Sequence, residues 1–244
     1  MAPLVSIIVP FFNAELTIER CVNSIVRQTY NNIQIILVDN NSSDSTRSII
    51  TAHFNQDNIE VYHCPKQGVS FARNLGSDHA RGEFICFLDA DDELLLSSIE
   101  DRVEILEKNE ANLVASDYIR VSKYGKTKPV GRIKMTLDSF TWGNPIGNLT
   151  GMYRVVQGDK YFQENIHHED YEMWFRIARN NKNNIVYLPS VTAVYHVTPN
   201  SISSNLMKNL KGHSAILYKF YGFSPKFFLG LLSYSVSRLI RRLI

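Results

Sequence analysis

The N-terminal third of the chain alternates between short apolar runs and segments with helical spacing. Leu4–Pro10 is rich in β-branched residues and ends at a proline, which is typical of a buried strand. The segment after it carries apolar residues three or four apart, as the buried face of a helix does, and the alternation then repeats. The pattern predicts strands over 4–10, 34–39, 59–63 and 83–89 and helices over 14–28, 43–54 and 69–80.

Strands that alternate with helices of this length form βαβ units and therefore a mostly parallel sheet flanked by helices, of the Rossmann type. Later segments are less regular, and 125–151 is rich in loops. There the pattern predicts helices over 97–109 and 171–180, strands over 113–118, 185–188 and 192–196, and one or two helices from 201 on. Because no Gly/Ser or Pro linker divides the chain, we expect one α/β domain over 1–205 and a helical appendage over 206–244.

Charge changes this picture at the C-terminus. The formal net charge is +2, yet no Asp or Glu follows Glu172, so the last 72 residues carry +10 and the rest carry −8. This asymmetry predicts a polyanionic partner, and we favour an anionic membrane surface over nucleic acid.

The C-terminal segment supports that choice if it is helical. One face of a helix over 225–244 would carry Phe228, Leu232, Val236, Leu239 and Leu243, with Arg241 and Arg242 largely away from it. Such a helix can lie in a membrane interface with its arginines among anionic headgroups. The alternative is a helix that packs on the domain or pairs two chains into an oligomer.

The N-terminus and the cysteines favour a cytoplasmic protein, bound peripherally at the inner face of the cell membrane. The short apolar run at the N-terminus has no basic segment before it, so we expect no signal peptide. Cys21, Cys64 and Cys86 are odd in number and lack C-x-x-C spacing, which predicts neither a disulfide framework nor a zinc site.

Polar residues follow three of the predicted strands, and ligands of open parallel sheets bind beyond the carboxyl ends of strands. These strand ends are Pro10–Asn13, Asp39–Asp44 and Asp89–Asp92. No G-x-G-x-x-G and no G-x-x-x-x-G-K-[ST] motif occurs, so dinucleotide-binding and P-loop interpretations lose their main support.

The third strand end, Asp89-Ala90-Asp91, suggests a metal site. Two neighbouring carboxylates are costly unless a cation lies near them, and hard cations that bind diphosphates take one or two carboxylates. The alternative is a solvated turn before a helix that Asp92 and Glu93 stabilise. Asp39 allows two interpretations as well: its carboxylate can accept the N3–H of uracil or thymine, or it can form a turn.

Six segments now stand in one order, VSIIVPFFN, IILVDNNSSD, GVSFARNLG, FICFLDADD, HHEDYEMW and VYHVTPNSIS. In this order the chain resembles the family 2 glycosyltransferases with the GT-A fold over roughly residues 4–205. The resemblance implies an inverting transfer of a sugar from a nucleotide-sugar donor, with UDP favoured, to an acceptor hydroxyl. A lipid-linked or surface-polysaccharide glycan is the acceptor that it implies.

The resemblance also implies roles for individual residues. Asp170 would be the catalytic base, and Asp91 would bind Mn²⁺ or Mg²⁺ with His196 as a further metal or diphosphate contact. The implied donor-binding residues are Pro10, Asn13, Asp39, Arg73, Asn74 and Asp89. The chain departs from the family pattern at two positions, where it has Phe12 for a tyrosine and Asn40 for a second acid.

Chemistry supports a single base independently. Displacement at an anomeric carbon needs one carboxylate to take the proton of the attacking hydroxyl, while cationic groups carry the charge of the leaving group. Asp170 stands just before an apolar helical stripe, with Glu169 as a candidate for positioning. Alternatively, both acids only stabilise the first turn of that helix, by about 0.3–1 kcal/mol. His167 and His168 are interpreted as acceptor-loop or surface residues.

Two other functions remain open from the residues. A sugar-phosphate nucleotidyltransferase also uses a nucleotide and Mg²⁺, but it would show a glycine-rich, arginine-containing loop where Phe11-Phe12-Asn13 stands. A non-catalytic nucleotide-sugar-binding module would not need Asp39, Asp91 and Asp170 together.

Overall fold

The computed structural model describes residues 2–122, 125–127, 135–155, 161–180, 184–197 and 206–243. Its strands are β1 (Val5–Phe11), β2 (Ile33–Asp39), β3 (Ile59–His63), β4 (Phe84–Phe87), β5 (Glu93–Leu94), β6 (Leu113–Ser122), β7 (Gly125–Thr127), β8 (Met152–Arg154) and β9 (Ile185–His196). Its helices are α1 (Ile18–Val26), α2 (Thr46–His53), α3 (Val69–His79), α4 (Ser98–Lys108), α5 (Glu169–Asn180), α6 (Leu206–Tyr221) and α7 (Pro225–Leu243). Two 3₁₀ helices span Leu137–Trp142 and Asn148–Thr150.

The strands form one sheet in the order β3-β2-β1-β4-β8-β6-β9-β5, with β7 paired to β6. From β3 to β4 the neighbours are all parallel. Beyond β4 the sheet is mixed, because β8 runs antiparallel to both β4 and β6 whereas β6 and β9 are parallel. The predicted α/β sheet flanked by helices is confirmed, and its parallel part is the N-terminal half.

The central strands β1 and β2 are mainly apolar because helices cover both faces of the sheet. Every residue of β1 and β2 is buried. Successive residues point to opposite faces: Ile7 packs in the core that α1 covers, and Ile8 packs in the core on the other side. On the face of the sheet that carries Ile8, helix α3 packs very close to β1. A Cβ at Gly76 would lie 2.5 Å from Ile8 Cγ2, so only glycine allows this approach.

The predicted elements differ from the observed ones mainly beyond β4. Three short strands, β5, β7 and β8, were not predicted, because two or three residues cannot display a period. The predicted strands over 185–188 and 192–196 are one strand, β9. Helix α5 starts at Glu169, so the two candidate acids lie inside its first turn rather than before it.

Both C-terminal helices pack on the α/β domain. The rings of Phe220 in α6 and Phe175 in α5 stack with their centroids 4.0 Å apart. Helix α7 lies so close to the first 3₁₀ helix that a Cβ at Gly230 would be 2.5 Å from the Thr141 carbonyl oxygen. The boundary that we predicted at residue 205 lies outside the described residues.

Helix α7 turns much of its apolar surface outward. Phe228, Leu232 and Val236, which the sequence places on one face, are 57%, 63% and 45% exposed. The opposite face of α7, with Phe227 and Gly230, packs on the domain, as the alternative weighed above expects. The side chains from residue 237 on lie outside the described part. Within the described ranges, no helix combines the length and apolar character needed to cross a membrane.

Candidate active site

A cavity of about 530 Å³ opens where the carboxyl ends of the strands meet the start of α5. It brings together four of the predicted site residues, which are Arg73, Asp89, Glu169 and Asp170. The remaining predicted residues, Pro10, Asn13, Asp39, Asn74, Asp91 and His196, lie outside its lining. The first four therefore form the best-defined part of the site.

Arg73 is the centre of this group. Its side chain is 5% exposed, and its guanidinium donates to Asp89 Oδ1 at 2.6 Å and to Glu169 Oε1 at 3.0 Å. Asp89 follows β4, whereas Glu169 starts α5. One buried cation thus joins the strand-end acids to the acids of α5, and it fixes the distance between the two sides of the cavity.

Asp170 has the environment that a general base needs. Asn144 Nδ2 donates to Asp170 Oδ2 at 3.0 Å, and Asn144 Oδ1 accepts the amide N–H of Ile146, so the carboxamide is held at both ends. Desolvation, reinforced by the negative charge of Glu169 and opposed by Arg73, raises the pKa of Asp170 to about 6. A carboxylate with a pKa near the working pH accepts protons more effectively than one with an ordinary pKa.

The segment before α5 depends on α6 for its shape. His167 Nε2 lies 2.7 Å from Asn209 Oδ1, and His168 Nε2 lies 3.2 Å from the Asn209 carbonyl oxygen. A Cβ at Gly212 would lie 2.9 Å from His168 Cδ2. His168 has a φ of 66°, a conformation that costs about 1–3 kcal/mol and persists only where the surroundings hold it.

Sequence reasoning missed these supporting residues. Asn144 lies in the loop-rich stretch, and Asn209 is 42 residues from His167. His167 and His168 were predicted to be acceptor-loop or surface residues, and they do line the cavity. No local sequence pattern predicts contacts between segments that are so far apart in the chain.

Acids crowd the turn after β4. Burial, together with the charge of Asp89, raises the pKa of Asp91, and the same two causes raise the pKa of Asp92 to about 9. Arg20 donates to the backbone carbonyl of Asp91 at 2.7 Å. A further cation would relieve the remaining repulsion among these carboxylates.

His196 reaches the same turn from β9. Its backbone N–H donates to Asp92 Oδ1 at 2.9 Å, and its Nε2 lies 2.6 Å from Glu93 Oε1. The described residues contain no ready-made group of three or more His, Cys, Asp or Glu around one point. A divalent ion that keeps waters and diphosphate oxygens needs only one or two protein carboxylates, so the residues present fit such an ion through Asp91.

Asp39 is more enclosed than a base-reading residue would be. Its side chain is 1% exposed, and Oδ1 accepts the Ser42 amide at 2.9 Å while Oδ2 accepts Arg47 Nε at 2.7 Å. His63 Nδ1 lies 3.2 Å from the same Oδ2. Burial would raise the pKa of Asp39, but hydrogen bonds from Ser42, His63 and Arg47 lower it overall. The uracil contact stays a prediction, and Asp39 would have to change partners to make it.

Other donor-side residues hold the backbone in place. Asn13, with a φ of 49°, accepts the Ser43 amide at 2.8 Å, and buried Pro10 lies within β1 beside Val38 of β2. Asn74 makes two hydrogen bonds to the backbone of Phe162. These contacts shape the wall of the donor region, and direct donor contacts remain predictions.

Asn40, the departure from the family pattern, has a structural role. It is 4% exposed, donates to the Lys66 carbonyl at 2.7 Å and accepts the Gly68 amide at 2.7 Å. An ionised acid at this position could accept but could not donate, whereas the amide of Asn40 makes both hydrogen bonds to the 66–68 segment.

Similarity to known proteins agrees with this geometry. A model of glycosyl transferase family 2 matches residues 6–183, which include the strand ends and the acids of α5. This chain belongs to glycosyl transferase family 2. The nucleotidyltransferase alternative is therefore set aside.

Relatives of this family member extend over most of its length. The UDP-Glc:alpha-D-GlcNAc-diphosphoundecaprenol beta-1,3-glucosyltransferase WfgD of Escherichia coli is 31% identical over 219 residues, which are 89% of this chain and 86% of the relative. A match of this length continues beyond residue 183, where the family model ends.

Solved structures share the fold. S. aureus TarS 1–349 in complex with UDP-GlcNAc has a TM-score of 0.74 at 21% identity, over 95% of this chain and 71% of that one. This chain spans 43% of the longer TarS chain. A mannosyltransferase from Pyrobaculum calidifontis in complex with GDP-Man and Mn²⁺ has a TM-score of 0.72 at 19% identity, over 96% and 69% of the two chains.

Proposed function

We propose that this family 2 glycosyltransferase moves a sugar from a UDP-sugar, with inversion and with a bound Mn²⁺ or Mg²⁺, to a hydroxyl of a glycan linked through diphosphate to a polyprenol. The observation that carries the proposal is Asp170, held by Asn144 in a cavity that Arg73 links to the strand-end acids. The name of the E. coli relative supports both the donor and the acceptor class.

In the reaction, Asp170 takes the proton of the acceptor hydroxyl as its oxygen attacks the anomeric carbon. The bond from that carbon to the diphosphate oxygen breaks, and UDP leaves on the opposite face. One base and one displacement invert the centre, so an α-linked donor gives a β-linked product. Arg73 keeps Asp89 and Glu169 in place during the step.

The metal belongs at the turn after β4. Asp91 would hold the ion, with His196 close by and Asp89 toward the ribose. When bound, the ion neutralises charge on the diphosphate and so makes UDP a better leaving group. Among the chain's own residues, Arg20 stabilises this turn by binding the Asp91 carbonyl and Glu93, whose Oε1 lies 3.2 Å from Arg20 Nε.

One assay tests donor, metal and stereochemistry together. The full chain is incubated with a GlcNAc-diphosphate-undecaprenol acceptor and UDP-Glc, UDP-GlcNAc or GDP-Man, with Mn²⁺ or with a chelator. We expect transfer from a UDP-sugar, only with metal, and a β linkage by proton coupling. Transfer from GDP-Man alone, or unchanged transfer in the chelator, would contradict the proposal.

Asp91→Ala sharpens the metal test, with Asp57→Ala as its matched control on an exposed turn. The affinity for UDP should depend on Mn²⁺ in the control and lose that dependence in Asp91→Ala. Equal behaviour of the two variants would place the ion elsewhere.

We also propose that α7 holds the enzyme peripherally on an anionic membrane, at the inner face of the cell membrane. Its outward apolar residues support this, and so does the absence of acids after Glu172. Val236 is 45% exposed and Val61 of β3 is 50% exposed. In co-sedimentation with anionic liposomes, Val236→Asp should weaken binding and Val61→Asp should not. An equal effect of both changes would refute the role of α7.

A further inference from the structure

A second cavity, also of about 530 Å³, lies between α6 and α7, and the reaction described above does not use it. Its walls are mainly apolar. They include Leu210, Ala215 and Tyr218 of α6, Phe223 of the connecting turn, and Phe227 and Leu231 of α7. We call this space the α6–α7 groove.

The α6–α7 groove begins beside the catalytic cavity. Lys208 and Asn209 line the catalytic cavity, while Leu210 and Lys211, the next residues of the same helix, line the groove. Asn209 also contacts the histidines before α5. The two cavities therefore follow one another along α6.

The far end of the groove is aromatic and open. Tyr218 and Phe223 are 51% and 75% exposed, and their ring centroids lie 4.7 Å apart. Phe227 meets Phe223 edge to face at 5.6 Å. Since a helix rises 1.5 Å per residue, Lys208 and Tyr218 are separated by about 15 Å along α6.

Charge at the junction favours an anion. Lys208 lines the catalytic cavity and Lys211 lines the groove, so two cations of α6 lie where the lining of one cavity gives way to that of the other. Lysine binds phosphate as a point charge. The order along α6 is thus a polar cavity that contains Asp170, then two lysines, then an apolar channel. A glycosyl diphosphate polyprenol has the same order of sugar, diphosphate and hydrocarbon.

We propose that the α6–α7 groove binds the first isoprene units of the acceptor's polyprenyl chain, while Lys208 and Lys211 contact its diphosphate. This inference rests on the lipid-linked acceptor proposed above. It gives α6 two tasks, to support the segment before α5 and to guide the acceptor toward Asp170.

The test compares two acceptors with the same GlcNAc diphosphate, one on an undecaprenyl chain and one on a phenyl group, in detergent micelles without a membrane. We expect the KM of the wild-type enzyme to be at least about tenfold lower for the long chain. Ala215→Trp and Ser235→Trp each place an indole in the groove from one of its two helices. Both should raise the KM for the long-chain acceptor about tenfold and leave the KM for the phenyl acceptor and the kcat unchanged.

Val61→Trp is the matched control, since Val61 is 50% exposed on β3 and lines neither cavity. An equal KM for the two acceptors in the wild type would overturn the inference. So would an unchanged KM in both groove variants with wild-type melting curves, or an equal rise in Val61→Trp, which would mean a nonspecific effect of an added indole. If the wild type sediments as a dimer and Ala215→Trp sediments as a monomer with an unchanged KM, the groove is an interface between two chains and the inference is overturned.

A label independent of transfer separates this inference from the proposed function. Farnesyl diphosphate carrying a terminal benzophenone is photo-crosslinked to the full chain, and labelled peptides are mapped. Labelling within residues 210–235 supports the groove even if neither acceptor is glycosylated. Labelling elsewhere, or none, overturns it even if transfer occurs.

Discussion

Two carboxylates at strand and helix ends, Asp39 and Asp170, are held in opposite ways. Asp39, the last residue of β2, is buried among donors that lower its pKa overall. Asp170, in the first turn of α5, is desolvated beside Glu169, and its pKa rises to about 6. A carboxylate that is held ionised by several hydrogen bonds suits a structural role, whereas one whose pKa is close to neutral pH can exchange a proton. The contrast distinguishes a carboxylate that holds the fold together from one that suits acid–base chemistry.

The largest expected effect comes from Asp170→Asn. Loss of a general base typically costs about 10²–10⁴ in rate, so kcat should fall by that factor while the affinity for UDP is retained. Because the raised pKa means that ionised Asp170 destabilises the fold near neutral pH, the urea midpoint at pH 7.5 should rise slightly. Near-full transfer activity would show that the base is another residue.

Asp39→Asn is the matched change on the donor side and should behave in the opposite way. It removes the charge that Arg47 and His63 contact, so stability should fall by about 1–3 kcal/mol. Since its pKa is depressed in the fold, this contribution is present above the ordinary carboxyl pKa and is lost as the pH falls below it. Unfolding in urea measures the change. A stable variant with a hundredfold lower kcat would erase the contrast.

A smaller effect should follow from Asn144→Ala, which removes the hydrogen bond to Asp170 Oδ2. Hydrogen bonds to the charged form favour it, so the pKa of Asp170 should rise and the acid limb of kcat/KM should move to higher pH. We expect kcat at pH 7.5 to fall about tenfold, as one hydrogen bond to a charged group contributes about 1.5–3 kcal/mol. A fall in kcat without any shift of the pH profile would indicate a role other than positioning the base.

The smallest effect should be a shift of opposite sign in Glu169→Gln. In the wild type, kcat/KM should decline as the pH falls through about 6, where Asp170 becomes protonated. Removing the negative charge of Glu169 lowers the pKa of Asp170 and should move this limb to lower pH. Measured pH profiles of the two variants at positions 144 and 169 must therefore lie on opposite sides of the wild-type profile.

The sequence predicts the strands and helices of the N-terminal half of this protein well, and the reason is physical. Strands β1, β2 and β4 are mainly apolar runs between helices, and Asp39 and Asp89 mark the ends of β2 and β4. Local periodicity therefore locates both the elements and the edge of the sheet where ligands bind. The family resemblance adds the residues of α5 and is confirmed by the match to the family model.

The acceptor side could not be predicted to the same depth because contacts distant in sequence build it. Asn144 reaches Asp170 across 26 residues, and Asn209 reaches His167 across 42. On this side the sheet changes from parallel to antiparallel pairing at β8, a strand of only three residues. The orientation of helix α7 could not be predicted from its pattern either. Phe228, Leu232 and Val236 point outward, while Phe227, Gly230 and Tyr234 face α6 and the first 3₁₀ helix.

Gly212 has a consequence for how such enzymes diversify. It allows α6 to rest directly on the two histidines that lead into the base-bearing helix. An exchange of the C-terminal helices between relatives by recombination would therefore change how those histidines pack, and with it the orientation of Asp170, the proposed base. New acceptor preferences should arise through paired changes at positions 167–168 and 209–212, so these two short stretches should be inherited together.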